Sequence, residues 1–231
     1  MSQGEGRGLK ALDDALRTVK VHKEEAKLYR DDGDLEGAVD VLREAVELLR
    51  RFAPADQDVE PDEAQKQVAW NLADTLGMLG GNYRRMGLFG EALRSFEEGK
   101  RYEIDSRFGI DSTYNLINAI TLPIEMGVRT ASEQKPSLES ALAALERASG
   151  GSRRLDRWAW ADLGQTALLM GDTERALEAY RRFRDLGDEA AIRSHLAVLR
   201  RFRDALAERD PEVCRALDDG IAFLEKDGSA L

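Results

Sequence analysis

Leu76–Glu103, LGMLGGNYRRMGLFGEALRSFEEGKRYE, decides how the rest of the chain reads. Two short helical patterns lie back to back in it, broken at Gly87. Leu79 and Gly80 stand eight and seven residues before that glycine and Tyr83 four before, while Ala92, Phe96 and Gly99 follow at five, nine and twelve. Small residues at such offsets let two antiparallel helices approach closely, and the aromatic rings fill the space between them. The same grid recurs around Gly33, with Ala26, Tyr29, Ala38, Leu42 and Ala45, and around Gly171, with Trp160, Leu163, Gly164, Ala176, Tyr180 and Phe183. A single alanine or glycine in place means little. Three sets with their aromatics in step describe a repeated helix–turn–helix unit.

In these residues the chain resembles the tetratricopeptide repeat (TPR) family, whose unit is 34 residues long. It departs from the family at Glu25, where Leu is usual, at His22 and Leu76, where Trp is usual, and at Ala167, where Tyr is usual. The proline that often closes a repeat is absent, and Gly33 and Gly87 lie 54 residues apart, one repeat plus about 20 residues. The resemblance implies an all-α fold, a right-handed superhelical solenoid of about ten antiparallel helices. It implies a non-catalytic protein–protein interaction module, an adaptor, scaffold or regulatory subunit that binds a protein or peptide segment in a concave groove. A small-ligand-sensing regulator with an enclosed pocket is the alternative. A fainter likeness, in Tyr102–Leu122, YEIDSRFGIDSTYNLINAITL, is to the TPR-type TRAF-binding domain of stress kinases and of bacterial effector-associated proteins, and it points to a signalling role.

Composition agrees with helix. Ala, Leu, Glu and Arg are abundant, prolines number five, and 42% of the 231 residues are hydrophobic, enough to bury a substantial core. A formal charge of −10 disfavours nonspecific binding to nucleic acid or to an anionic membrane. The lone Cys214 rules out an internal disulfide and suits a reducing compartment. Charges interrupt the first twenty residues, and no apolar run approaches the roughly 18 residues of a membrane span, so the sequence predicts a soluble, cytoplasmic protein.

Taken in order, residues 1–8 are glycine-rich and read as disordered, and residues 9–52 as the first repeat, with Asp34 capping its second helix. Residues 53–60 form an acidic connector. Pro61 suits a first helical position and opens a second repeat, 61–105, with a lengthened first helix. Residues 111–149 make a degenerate third repeat carrying Pro123 and a long polar loop after Gly127, 153–186 a fourth, and 188–226 a capping hairpin whose last helix starts at Asp210-Pro211.

Little here points to catalysis. His22 and His195 lack partners at metal-ligand spacing, there is no cysteine pair, and the carboxylates fall beside Arg or Lys on helix surfaces. No cofactor or metal is implied. The partner-binding candidates lie on first helices of the repeats. Arg17, Lys20, Lys23, Lys27 and Arg30 form a basic stripe; in the repeat register Lys20, Lys23, Lys27 and Arg30 face the groove, with Lys23 and Lys27 expected to be exposed. Such a stripe would seat an acidic or phosphorylated segment, or else be a solvated face balanced by Asp13 and Glu24. Gly77 and Gly81 read either as a trough for a ligand backbone or as the passage of a neighbouring helix. Tyr114, Asn118 and Thr121 share one face, and Trp158, Asp162 and Gln165 another. Asparagine so placed commonly binds a peptide backbone in TPR proteins. The Asp74, Gly77, Met78 and Gly81 set does not supply the Lys, Asn and Arg of a carboxylate clamp.

Overall fold

The computed structural model describes residues 3–54 and 59–226, with side chains at residue 8 and from residue 10 onward. Among these the chain is all-α. Helices α1 (Gln3–Asp31) and α2 (Leu35–Arg50) form one hairpin and α3 (Glu63–Arg85) and α4 (Phe89–Ile104) a second. A short 3-10 turn, Ser106–Phe108, leads to α5 (Tyr114–Glu125), which is followed by α6 (Lys135–Gly150), α7 (Arg157–Leu169), α8 (Thr173–Leu186), α9 (Glu189–Leu206) and α10 (Pro211–Glu225). Two compact units divide the chain after Leu116, within α5.

One turn is used four times. Gly33, Gly87, Gly127 and Gly171 all have positive φ, between 66° and 84°, where a Cβ would be strained. At each, the following residue donates its N–H to a carbonyl five residues back, as Leu88 does to Tyr83 (2.9 Å) and Asp172 to Ala167 (2.9 Å). The glycine itself donates to a carbonyl three residues back, as Gly87 does to Arg84 (3.1 Å). This double bond pattern is the Schellman closure, which satisfies carbonyls left over at a helix end. Val128 to Pro123 (3.0 Å) and Gly127 to Ile124 (2.9 Å) repeat it, so the degenerate third unit has kept the turn. Asp34 and Asp172 then cap α2 and α8 by accepting from Gly37 and Arg175.

Two boundaries differ from expectation. α1 begins at Gln3 instead of Leu9, since adding turns to an existing helix costs far less than nucleating one; residues 1 and 2 lie outside the described residues. α3 starts at Glu63, and its cap is Asp62, which accepts from the Gln65 N–H (2.8 Å) while the Gln65 side chain accepts from the Asp62 N–H (2.9 Å). This reciprocal box satisfies two N–H groups, and Pro61 stands just outside the helix. Half of the acidic connector, residues 55–58, lies outside the described residues.

In the first unit, Val19 and Ala26 of α1 pack with Leu42 and Leu49 of α2 and with Leu72 and Leu76 of α3, all essentially buried. Burial of each such leucine contributes about 1.5–3 kcal/mol. The grid glycines act as expected: a Cβ on Gly80 would come within 2.7 Å of the Phe96 ring. Glu103, at the end of α4, holds the start of α5. Its Oε1 accepts from the Asn115 N–H (3.1 Å), from Asn115 Nδ2 (2.9 Å) and from the Ser112 hydroxyl (2.9 Å), and its Oε2 accepts from the Leu116 N–H (2.8 Å). A carboxylate from the preceding helix thus joins the local bond from the Tyr114 N–H to the Ser112 hydroxyl (3.3 Å), at a helix start where the dipole favours an anion. Glu103→Ala should cost about 1.5–3 kcal/mol, the range for hydrogen bonds to a charged group, measured as a lowered urea midpoint.

In the second unit the last two helices depart from a regular stack. α10 packs beside α7 and α8, while α9 reaches α8 through His195: the backbone at Gly220 lies against Leu168 and Tyr180, and Arg184 donates to the carbonyls of Phe223 (3.1 Å) and Lys226 (2.6 Å). α9 is tied at its start by Asp188 to Arg157 (2.9 Å), at the head of α7. Towards its end Arg201 pairs with Glu125 of α5 (2.6 Å), and just beyond it Arg209 donates to the Gly127 carbonyl. Ser132 donates to Asp210, at the start of α10 (3.2 Å).

Candidate interaction surface

Lys23 is the clearest correction to the sequence reading. Its side chain is buried, against the expectation of exposure, and it ties α1 to α3: Nζ pairs with Asp74 (2.7 Å), donates to Asn71 Oδ1 (3.0 Å) and sits 5.1 Å from the centroid of the Trp70 ring. A lysine on the α3 side of α1 meets a carboxylate and an aromatic face there, so its charge is spent within the chain. Lys27 is exposed and pairs with Glu24 (2.8 Å), and Arg30 is half-buried against Asp31 (2.8 Å). Lys20 is exposed. The three lysines converge on Glu24, whose carboxyl lies below its usual range chiefly through the hydrogen bond and charge of Lys27, with Lys20 and Lys23 adding to the effect. Lys23→Glu would set a carboxylate against Asp74, so it should cost about 3 kcal/mol, the low end for breaking a buried pair, because Asp74 is half exposed. Lys27→Glu should stay within about 0.5 kcal/mol. Urea unfolding of the two variants separates these outcomes.

Gly77 and Gly81 do not form an open trough. Both are buried, and a Cβ on Gly77 would meet Tyr114 Cδ1 at 2.9 Å, while one on Gly81 would meet the Tyr114 hydroxyl at 3.2 Å. The Tyr114 ring fills the notch, held edge-on to Phe96 at 5.9 Å between centroids. Asn115 fills the space beside Gly77 and Gly99 and donates Nδ2 to the Ala73 carbonyl (2.8 Å). The glycines therefore admit the chain's own side chains. What reaches solvent is Tyr114, 42% exposed, and Trp70, 52% exposed, which lies on the same stripe of α3 as Asp74, Gly77 and Gly81. Sequence reasoning passed over Trp70; its signal was a tryptophan four residues before Asp74 on the stripe already singled out.

In the second unit the polar candidates are buried. Asn118, Thr121 and Gln165 retain 7%, 1% and 5% exposure, and Thr121 donates to the Ile117 carbonyl (2.8 Å). Seven consecutive residues of α7, Leu163–Leu169, are buried, which covers that helix on every side. Only its start stays open, where Trp158 is 40% exposed beneath the Arg157 guanidinium (5.7 Å) and beside Phe183 (6.0 Å).

The histidines and cysteine follow physical chemistry of a structural kind. His195 is buried, its Nε2 3.1 Å from the Tyr180 hydroxyl, and burial lowers its pKa to about 3. His22 is half-buried between Glu25 (3.1 Å) and Glu44 (3.8 Å). Burial raises the Cys214 thiol pKa, the opposite of what a nucleophile needs. Among the described residues no three His, Cys, Asp or Glu side chains are grouped to hold a metal ion, and no helix is long and apolar enough to cross a membrane.

The sequence model of the tetratricopeptide repeat matches residues 159–183, which span α7, the Gly171 turn and most of α8. No curated protein sequence matches the chain. Similar solved structures include MamA, at 17% identity and TM-score 0.41, with 90% of this chain and 93% of that one covered. YrrB, described as a TPR protein with an unusual peptide-binding site, aligns at 18% identity and TM-score 0.41, covering 90% and 86%. A Podosopora anserina protein of nearly identical TPR-like repeats aligns at 15% identity and TM-score 0.46, covering 89% and 93%.

Proposed function

We propose that this chain, which carries a tetratricopeptide repeat within its antiparallel helical hairpins, is a protein-interaction module that takes a protein or peptide segment on the face of the first unit built by α1, α3 and the start of α5. The observation that carries the reading is the pair of exposed rings, Trp70 and Tyr114, with exposed Lys20 and Lys27 one helical turn to either side of Lys23, whose Nζ lies over the Trp70 ring. Tryptophan and tyrosine supply large contact area at low entropic cost and dominate binding energy at protein interfaces. The exposed lysines favour a segment with acidic or phosphorylated residues, and Lys20 and Lys27 take the part that the full basic stripe was expected to play. Trp158 is a separate candidate contact, belonging to the second unit alone.

A photo-crosslinking amino acid placed at Trp70, with a control at exposed Arg94 on α4, tests the surface in the native cell. A defined protein should crosslink from position 70 and not from 94; equal yields from both would remove the site. With the captured partner in hand, Lys20→Glu combined with Lys27→Glu should weaken binding at least tenfold, about 1.4 kcal/mol, and wild-type binding should weaken as salt rises. A partner indifferent to both would keep the surface and remove the acidic preference.

A further inference from the structure

We infer that the start of α7 carries a second docking surface, formed by Leu155 and Trp158 and flanked by Arg154, that takes an acidic protein segment bearing a large apolar side chain. Its binding role rests on the reading of the chain as an interaction module, but its residues are not those of the first-unit face. Leu155 is the most exposed large hydrophobic side chain among the described residues, at 75%, and Trp158 follows three residues on at 40%. A leucine here has a local route to burial. It stands just before the N-cap Asp156, the position that often packs on the fourth residue of the helix, here Trp160. At 75% exposure Leu155 buries little of itself in such a contact, and the Trp160 indole donates instead to the Arg154 carbonyl (3.0 Å).

The exposure is not that of a loose loop. The Arg153 N–H donates to the Ala148 carbonyl (2.9 Å) and the Asp156 N–H to the Arg153 carbonyl (2.9 Å). The Arg153 guanidinium pairs with Asp156 (2.8 Å), and Asp156 Oδ1 accepts from the Trp158 N–H (2.9 Å). Bonds thus fix the backbone on both sides of Leu155, so binding there requires little further ordering. The Trp158 ring is held as well, with the Arg157 guanidinium 5.7 Å from its centroid and the Phe183 ring at 6.0 Å. Charge then selects the occupant. Asp156 answers Arg153 and Asp188 answers Arg157, while Arg154 is exposed and joins no ion pair among the described residues. A positive charge is left beside two apolar side chains, in a chain of net charge −10. Tryptophan and arginine are enriched among the residues that dominate binding energy at protein interfaces, and complementary charge steers the approach. A segment that sets a carboxylate by Arg154 and an apolar side chain on Leu155 and Trp158 matches both features, and a basic segment does not.

The probe is a library of random peptides displayed on phage and selected on the full-length chain. Enriched sequences should combine Asp or Glu with Leu, Phe or Trp, and selection on the Arg154→Glu chain should lose the acidic residues. The leading peptide, synthesised with a fluorophore, should bind Leu155→Ser at least tenfold more weakly than wild type, and Arg154→Glu at least threefold more weakly at low salt. Leu155→Ser keeps the test clear of folding, because that side chain lies largely in solvent. Trp158→Ala, which also loses its packing on Phe183, is read only where its helical circular dichroism and melting match wild type. A selection without an acidic and apolar motif overturns the inference, as does a leading peptide that binds Leu155→Ser and Arg154→Glu as tightly as wild type. A peptide lost with Trp70→Ala and not with Leu155→Ser belongs to the first unit, which removes this surface and supports the other.

Discussion

Gly164→Leu should be among the most damaging single substitutions in the chain, costing more than about 3 kcal/mol, and even Gly164→Ala should cost about 3. A Cβ on Gly164 would fall on the Tyr180 ring, far inside van der Waals distance. Nor can the ring withdraw. It is wholly buried, the backbone of Gly220 lies by Cε2 on its opposite edge, and its hydroxyl is engaged by His195. Thermal or urea unfolding gives the cost, and a double-mutant cycle assigns it. Tyr180→Leu alone loses ring packing, but combined with Gly164→Ala it should be less damaging than the two separate costs added together, since the smaller side chain clears the notch. Strict additivity would mean that Gly164 and Tyr180 do not meet, and an unchanged midpoint for Gly164→Leu would mean that α7 and α8 do not pack as a repeat.

Both members of that pair stand in the sequence at fixed offsets from Gly171, and that is the level at which the chain was legible. Turn glycines, capping aspartates and notch-and-ring pairs are local or repeat at constant spacing, so Gly33, Gly87, Gly127 and Gly171 mark the hairpins without reference to anything distant. Lys23 shows where the reading stops. Its spacing from Lys20 and Lys27 puts all three near one face of α1, but periodicity does not say how that face is turned toward α3. Asp74 and Trp70 lie about 50 residues away, in a helix that the 20 additional residues lengthen. Tyr114 over Gly77 and Gly81, and Glu103 at the head of α5, are long-range in the same sense. α9 is a third case: its apolar stripe identifies a helix, but not that Asp188 meets Arg157 or that Arg201 meets Glu125. In each instance the helix was readable and the neighbour was not. Candidate binding residues therefore divided by exposure: Lys20, Lys27, Tyr114 and Trp158 remain available, while Lys23, Gly77, Gly81, Asn118, Thr121 and Gln165 are taken up in packing.

Mild acid should weaken the second unit through one residue. His195 is neutral in the folded chain because burial lowers its pKa to about 3, against about 6.5 for an unfolded histidine. Between those values the unfolded state binds a proton that the folded state refuses, so folding stability falls as pH drops. The contribution is complete above about pH 6.5 and is lost progressively below it, at about 1.4 kcal/mol per pH unit, or about 2 kcal/mol by pH 5. The carboxylates whose pKa values lie below the usual range, Glu24, Asp105, Glu133 and Asp188, work in the same direction but only at lower pH, once carboxylates begin to protonate. The window from pH 6.5 to 5 therefore isolates His195. His195→Gln keeps a group able to hydrogen-bond the Tyr180 hydroxyl and removes the titration. Urea unfolding followed across pH 5–7.5 should show a steep loss of stability in wild type and a nearly flat profile in the variant, even where the variant is the less stable of the two at pH 7.5. Equal slopes in the two proteins would mean that His195 takes up its proton in place, and that the core around Tyr180 and Phe183 is wetter than its burial implies.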